Sequence, residues 1–417
     1  MCNTIKTFET RWTCVVAPKL TLLVLTLCFT IVSLHSLFRG PAAYNNFLIF
    51  ANSFEHLAGN SNLYSPYPEQ HNDIFKYSPT FALFMFPYYV LPRPVGLVFW
   101  NLTNVLIFWS GVQGLRLNDN QKFLVLAICF FPLLGATLNC QSNALVVGTM
   151  LLAFNAIESD RPLCSGFHIC LGAFTKLFAV AMAPCFVLCG HRFRFVFALA
   201  IMTILMVLAP APLIGFDSLL QQYRNWTHQL TTDKSGGMNF SIFTLLERTT
   251  GCVCPRLPLI AASATLLLAP LFRPVGCRTP AFRAMFLSSI LIWVVIFNNK
   301  AESPTYVIAT CGAAIWCVWQ PATRLVAAFM GFFILLTGLA LTDIVPSFIQ
   351  DEIVMRFALK ALPSTLLWIY IQWQLLTYPE RVTSALPKST RIAPPRFRLR
   401  AGKSKHGSNC INPLRKV

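Results

Sequence analysis

Charge is what this sequence has least of. Only 12% of its 417 residues are charged and only 15 are Asp or Glu, against 55% hydrophobic residues. A soluble chain of this length carries about 25% charged residues and splits into separate domains. The apolar residues fall instead into blocks of about 20, the length a helix needs to cross a ~30 Å hydrocarbon core. Apolar/polar alternation, which a membrane β-barrel requires, is missing from runs such as "LTLLVLTLCFTIVSLHSLF". Other signatures are missing too. There is no Gly-rich phosphate loop, no nucleophile elbow and no Asp-x-Asp pair of the kind that holds a metal and a nucleotide sugar. The seven histidines do not cluster, and the fifteen cysteines are scattered through apolar blocks, with Cys252 and Cys254 the one close pair. No metal site and no cofactor are expected.

What is present reads as an all-α polytopic membrane protein of about 10–13 apolar segments. Lys6, Arg11 and Lys19 precede a first, uncleaved span near Leu20–Phe38. A polar stretch, residues 39–77, follows outside the cytoplasm, and a second large one covers 215–256. Between them Ser78–Leu91 is short and bounded by proline, and Leu163–Cys189 reads as one long helix or as two short ones meeting near Lys176. The basic segments "HRFRF", "RPVGCRTPAFR" and "QPATR" mark cytoplasmic turns. From residue 378 onward ten Lys/Arg face one acid, half of the net charge of +18. Concentrated in a Pro- and Ser-containing end, that charge fits a disordered cytoplasmic tail better than nucleic-acid binding. The expected organisation is a cytoplasmic 1–19, a transmembrane domain 20–377 and a basic tail 378–417, with both termini inside a plasma membrane and membrane lipid as a partner.

Ionisable groups in or beside spans are costly and so informative. Ten of the fifteen acids fall on stretches placed outside. In residues 39–77, Phe47, Phe50, Phe54 and Leu57 recur at helical spacing, suggesting an amphipathic helix lying on the membrane with Asn46, Glu55 and His56 near or opposite that apolar face. Asp73, Lys76 and Tyr77 stand just before the next span, where a carboxylate and an ammonium three residues apart suit either an interfacial ion pair or a site that holds phosphate and activates a hydroxyl. Gln141 and Asn143 interrupt an apolar pair of segments as helix caps or as hydrogen-bonding groups. Lys176 lies within "GAFTKLFAVAMAP", where an ammonium needs a partner such as a lipid-linked phosphate. Lys300 and Glu302 form a loop ion pair or belong to the same polar site.

Taken in order, "FKYSPTFALFMFPYYVLP", "QSNAL" and "GAFTKLFAVAMAP" resemble glycosyltransferase family 87, and "IFNNKAESPTYVIA" and "TDIVPSFIQDE…LKALP" extend the resemblance from about Tyr44 to Leu376. The resemblance implies a GT-C fold in a bacterial plasma membrane and transfer of a hexose, expected to be mannose, from a polyprenyl-phosphate donor to an extracytoplasmic glycan or glycolipid acceptor. It also implies inversion, with an acid of the first external loop as base. Many members carry Asp where this chain has Asn46, so Asp73, or else Glu55, is expected to take that role. Lys76, Lys176 and Lys300 would bind phosphate, while Tyr77, Gln141 and Asn143 would position sugar hydroxyls. A lipid or solute transporter and an envelope-assembly scaffold are the alternative readings.

Overall fold

A computed structural model describes residues 17–232, 239–273 and 276–378. The basic tail beyond Tyr378, most of the expected cytoplasmic N-terminus and Asp233 lie outside the described residues. Those described form helices and no strand, and the chain is an all-α polytopic membrane protein.

The path begins with α1 (Pro18–Phe38) and α2 (Asn45–Ala58), passes the two short helices α3 (Pro79–Phe84) and α4 (Phe86–Tyr89), and continues through α5 (Arg93–Gln113), α6 (Asp119–Leu138), α7 (Asn143–Glu158) and α8 (Pro162–Thr175). After a 3₁₀ segment, Leu177–Leu188, come α9 (Arg192–Leu208), α10 (Ala211–Ile214), α11 (Phe216–Thr232), α12 (Ile242–Thr250) and α13 (Arg256–Leu268). The described chain closes with α14 (Pro280–Ile296), α15 (Tyr306–Val318), α16 (Arg324–Ile334), α17 (Ser347–Ile349) and α18 (Ala361–Leu376). Among the described residues, four helical stretches, Pro18–Phe38, Arg93–Gln113, Asp119–Leu138 and Arg192–Ile214, are long and apolar enough to cross a membrane, and seven shorter apolar helices accompany them.

α7 runs through the middle. Thirteen of its side chains, from Asn143 to Ile157, are buried, and it packs on α5, α8 and α15. The α5 contact is close because Gly111 and Gly148 face the opposite helix: a Cβ on Gly148 would sit 2.7 Å from the backbone of Ile107–Phe108, and small residues let membrane helices approach in this way.

Two sequence expectations resolve here. The stretch Leu163–Cys189 is two pieces, because α8 ends at Thr175 and Lys176 adopts an extended conformation before the 3₁₀ segment. α2 forms where the Phe47/Phe50/Phe54/Leu57 periodicity predicts it, yet it does not offer that face to lipid. Phe47, Phe50 and Leu57 are buried in the protein, and the Phe50 ring meets Tyr77, Phe81 and Trp100 edge-on at 4.9, 5.4 and 5.6 Å. Ring edges against ring faces are favourable beyond the area they bury, so the helix is locked against Tyr77, α3 and α5.

Candidate active site

The site grows from the turn between α6 and α7. Cys140 takes the left-handed conformation (φ 51°), which lets the Gln141 N–H return to the Ala136 carbonyl (2.9 Å) and the Cys140 N–H to Thr137 (2.9 Å). This 6→1, 5→2 closure normally uses glycine. The Trp100 indole donates to the Cys140 carbonyl (2.9 Å), and Asn104 Oδ1 accepts the Leu145 N–H (3.1 Å). Held from both sides, the turn directs Gln141 and Asn143 to one place.

Lys176 meets them there. Its ammonium donates to Asn143 Oδ1 at 2.8 Å and to Gln141 Oε1 at 3.2 Å, and it stands 5.8 Å from the Tyr77 ring centroid. The Gln141 amide in turn donates to Glu302 Oε2 (3.3 Å). Lys176 makes no ion pair among the described residues, and the buried Asn143 Nδ2 has no hydrogen-bond partner. With the Phe178 ring at 5.9 Å as well, two neutral oxygens and two rings leave an ammonium under-compensated, and the N-terminus of α7 adds further positive potential at the same point.

Asp73 and Lys76 stand just before Tyr77, whose ring faces Lys176. Asp73 Oδ2 accepts from Lys76 Nζ (2.9 Å) and Oδ1 from the Ile74 N–H (2.7 Å). Asp73 remains half exposed, its side chain 52% accessible. Ser78 follows, caps α3 through the Phe81 N–H (3.1 Å) and donates to the Phe174 carbonyl (2.5 Å), in the last turn of α8 beside Lys176. Burial pushes the Tyr77 phenol up; neighbouring Ser142 opposes the rise, and the negative charges of Glu302 and Asp73 add to it. The Trp226 indole of α11 donates to the Lys76 carbonyl (3.2 Å), and Gln222 of the same helix clasps the Ser61 carbonyl (2.7 Å) and the Leu63 N–H (3.2 Å). α11 thus braces the stretch from Ser61 to Lys76.

The remaining expected residues divide. Asn46 lies close by, its amide donating to the Asn139 carbonyl (2.9 Å) at the end of α6, while Asn45 Oδ1 accepts the Asn72 N–H (2.9 Å) just before Asp73. Asn46 therefore ties α2 to the turn that presents Gln141. Lys300 is exposed on the loop that carries Glu302, its N–H bound to Asn298 Oδ1 (3.0 Å). Glu55 stands apart: it is exposed near the other end of α2, against the Tyr89 hydroxyl. One residue that the sequence reading passed over lies behind the Glu302 loop. Lys360 is only 4% exposed, donates to Ser303 Oγ (2.6 Å) and lies 5.3 Å from the Tyr306 ring centroid. Its signal was available, since a lysine in the apolar run Phe357–Leu376 carries the same cost as Lys176.

No metal-ligating group of three or more His, Cys, Asp or Glu occurs among the described residues. The cluster instead gathers lysines, amides and two carboxylates in an all-helical membrane protein, a combination suited to a phosphate-bearing lipid substrate and proton abstraction. Residues 75–297 match glycosyltransferase family 87, and with just over half of its length matched the chain belongs to that family and is a glycosyltransferase. The matched region contains Lys76, Tyr77, Gln141, Asn143 and Lys176, and leaves Asp73 and Glu302 outside it. No curated protein matches the chain.

Proposed function

We propose that the protein transfers a hexose, with mannose the expected sugar, from a polyprenyl phosphate to an extracytoplasmic glycan or glycolipid, inverting the anomeric centre. Lys176 carries the reading: an ammonium with only amide oxygens and two aromatic rings around it, at a helix N-terminus, invites a phosphate. Gln141 and Asn143 orient that ammonium, and the open Asn143 Nδ2 offers a further donor to the phosphate or to a sugar hydroxyl. Lys76 and Lys300 add positive charge at the rim.

Asp73 serves as the base. It is accessible, it pairs with Lys76, and it lies four residues before Tyr77, whose ring faces Lys176, whereas Glu55 lies at the far end of α2. In the transfer, the acceptor oxygen attacks the anomeric carbon as its proton passes to Asp73. The bond from that carbon to the phosphate oxygen breaks, and polyprenyl phosphate leaves with the electron pair. Lys176 stabilises the charge developing on the departing phosphate, and a base within ~3 Å of the hydroxyl takes up the proton. This end of the bundle faces away from the cytoplasm of a bacterial cell, with both termini inside.

The test is transfer itself. Purified protein in nanodiscs should move radiolabel from polyprenyl-phosphate mannose to an extracted envelope glycolipid fraction, and Asp73→Asn should abolish the product while leaving the protein folded. Full transfer by the folded variant would remove Asp73 from the mechanism.

A further inference from the structure

Lys360 belongs to the same network as Lys176 but not to the same task. Four non-glycine residues among the described ones have positive φ. Two, Asn60 and Asp160, are of types that tolerate the left-handed region, but Cys140 and Ala358 are not. Cys140 presents Gln141. Ala358 stands two residues before Lys360 and closes a π-helical turn, Gln350–Met355, through the Leu359 N–H to the Val354 carbonyl (2.9 Å). Backbone strain of this kind persists where the surroundings enforce it and gathers at functional sites, as do π-turns. Both strained turns deliver a polar side chain to the same loop: Gln141 to Glu302, and Lys360 to the adjoining Ser303.

A buried ammonium that donates to one hydroxyl and faces one ring is far from compensated, since taking an ion out of water costs several kcal/mol unless an opposite charge meets it. Lys360 makes no ion pair among the described residues. Lys176 and Lys360 therefore flank the Glu302–Ser303 segment, each with unused donor capacity. The donor phosphate proposed at Lys176 would occupy one of them, whether it is the donor's single phosphoryl group or the sugar-bearing one of two.

We infer that Lys360, with Ser303, binds a second phosphoryl group of the lipid-linked substrates. It is distinct from the donor phosphate held at Lys176, and it derives either from a pyrophosphate donor or from a phospholipid acceptor. The inference rests on the assignment of Lys176 to the donor phosphate. In this arrangement the two lysines count phosphoryl groups, and the enzyme selects substrates that supply both.

Binding separates these sources. The full chain in phosphatidylcholine nanodiscs is titrated with polyprenyl monophosphate, polyprenyl pyrophosphate and phosphatidic acid, as wild type, Lys360→Met, Lys360→Gln and Lys176→Met, with a thermal midpoint measured for each. Lys360→Met is expected to weaken one of the last two probes about tenfold or more while monophosphate affinity stays within about twofold. Loss for pyrophosphate identifies the donor as the source, and loss for phosphatidic acid identifies the acceptor. The Met variant's thermal midpoint should hold or rise, because a buried charge has been removed. Unchanged affinity for both probes in both Lys360 variants would overturn the assignment, as would a lowered midpoint with normal affinity in the folded fraction. Wild-type protein that binds no monophosphate would overturn the donor reading at Lys176, while the other two probes still decide Lys360.

Discussion

The two ends of α7, about 24 Å apart along a helix of 16 residues, hold charge in opposite ways. At its C-terminus Glu158 is 8% exposed and saturated. Arg283 Nε binds one of its oxygens, Arg116 Nη1 reaches the other at 3.3 Å, and Arg283 also donates to the Leu188 carbonyl (2.9 Å). At its N-terminus Lys176 faces amide oxygens and two aromatic rings, with Glu302 one residue removed through Gln141. A charge surrounded by its counter-ions stabilises a fold, and one left short of partners is positioned to receive something. The difference distinguishes a clamp from a binding site within one buried helix.

Perturbing each end should separate these roles. Asp73→Asn, at the N-terminal end, is expected to lower transfer by about 10²–10⁴-fold, the usual contribution of a general base, with no change in thermal midpoint. Glu158→Leu, at the other end, leaves two arginines without their carboxylate and should destabilise the protein by about 3–5 kcal/mol. A denaturation series would detect this, and a neutral result would mean that the clamp is not structural. Lys176→Met should raise the KM for the lipid-phosphate donor about tenfold or more while stability holds, a split that kinetics at several donor concentrations would expose.

Acid gives a smaller and regional effect. His56 stacks on Tyr67 (3.7 Å between centroids) and meets Gln70 Oε1 at 2.8 Å, and His71 lies 6.2 Å from it. Burial lowers both histidines below 6.5. His71 further lowers His56 while Gln70 and Glu55 oppose, and at His71 the backbone and charge of Asp73 oppose burial. Both are thus neutral in the folded loop and take up protons more readily once it opens. Their contribution is complete above about pH 6.5 and declines as pH falls below that value. Hydrogen exchange at pH 7.5 and pH 5.5 should show residues 56–73 loosening in acid while the Arg116–Glu158–Arg283 end does not. Equal protection at both values would dismiss the idea. Smallest of all, Asn46→Asp removes the donor to the Asn139 carbonyl and should cost about 1 kcal/mol. Combined with Asp73→Asn it should not restore transfer, and restoration would move the base to position 46.

Much of this was legible in the chain. The apolar run Leu163–Cys189 was readable as one helix or as two meeting near Lys176, and the structure breaks it at that lysine; the first block, Leu20–Phe38, falls within α1. The convergence of Lys176, Gln141, Asn143 and Glu302 was expected in kind but not in connectivity, because hydrogen bonds across 33 to 161 residues leave no local trace. α2 shows the limit most clearly. Its Phe47/Phe50/Leu57 face has the same periodicity whether the other side of the contact is lipid or protein, and only the position of Trp100 and Phe81 identifies it as protein.

The sequence alone determined the class of the molecule, since scarce charge and long apolar blocks leave no other solvent for it than a membrane. It also determined which polar side chains were too costly to be incidental. Tertiary structure decided which of them meet. Left-handed backbone at Cys140 and Ala358 turns Gln141 and Lys360 toward one loop, and neither residue type announces such a turn as glycine would. What separates Lys176 from Glu158 is the number of counter-charges around each, a property of packing rather than of either residue.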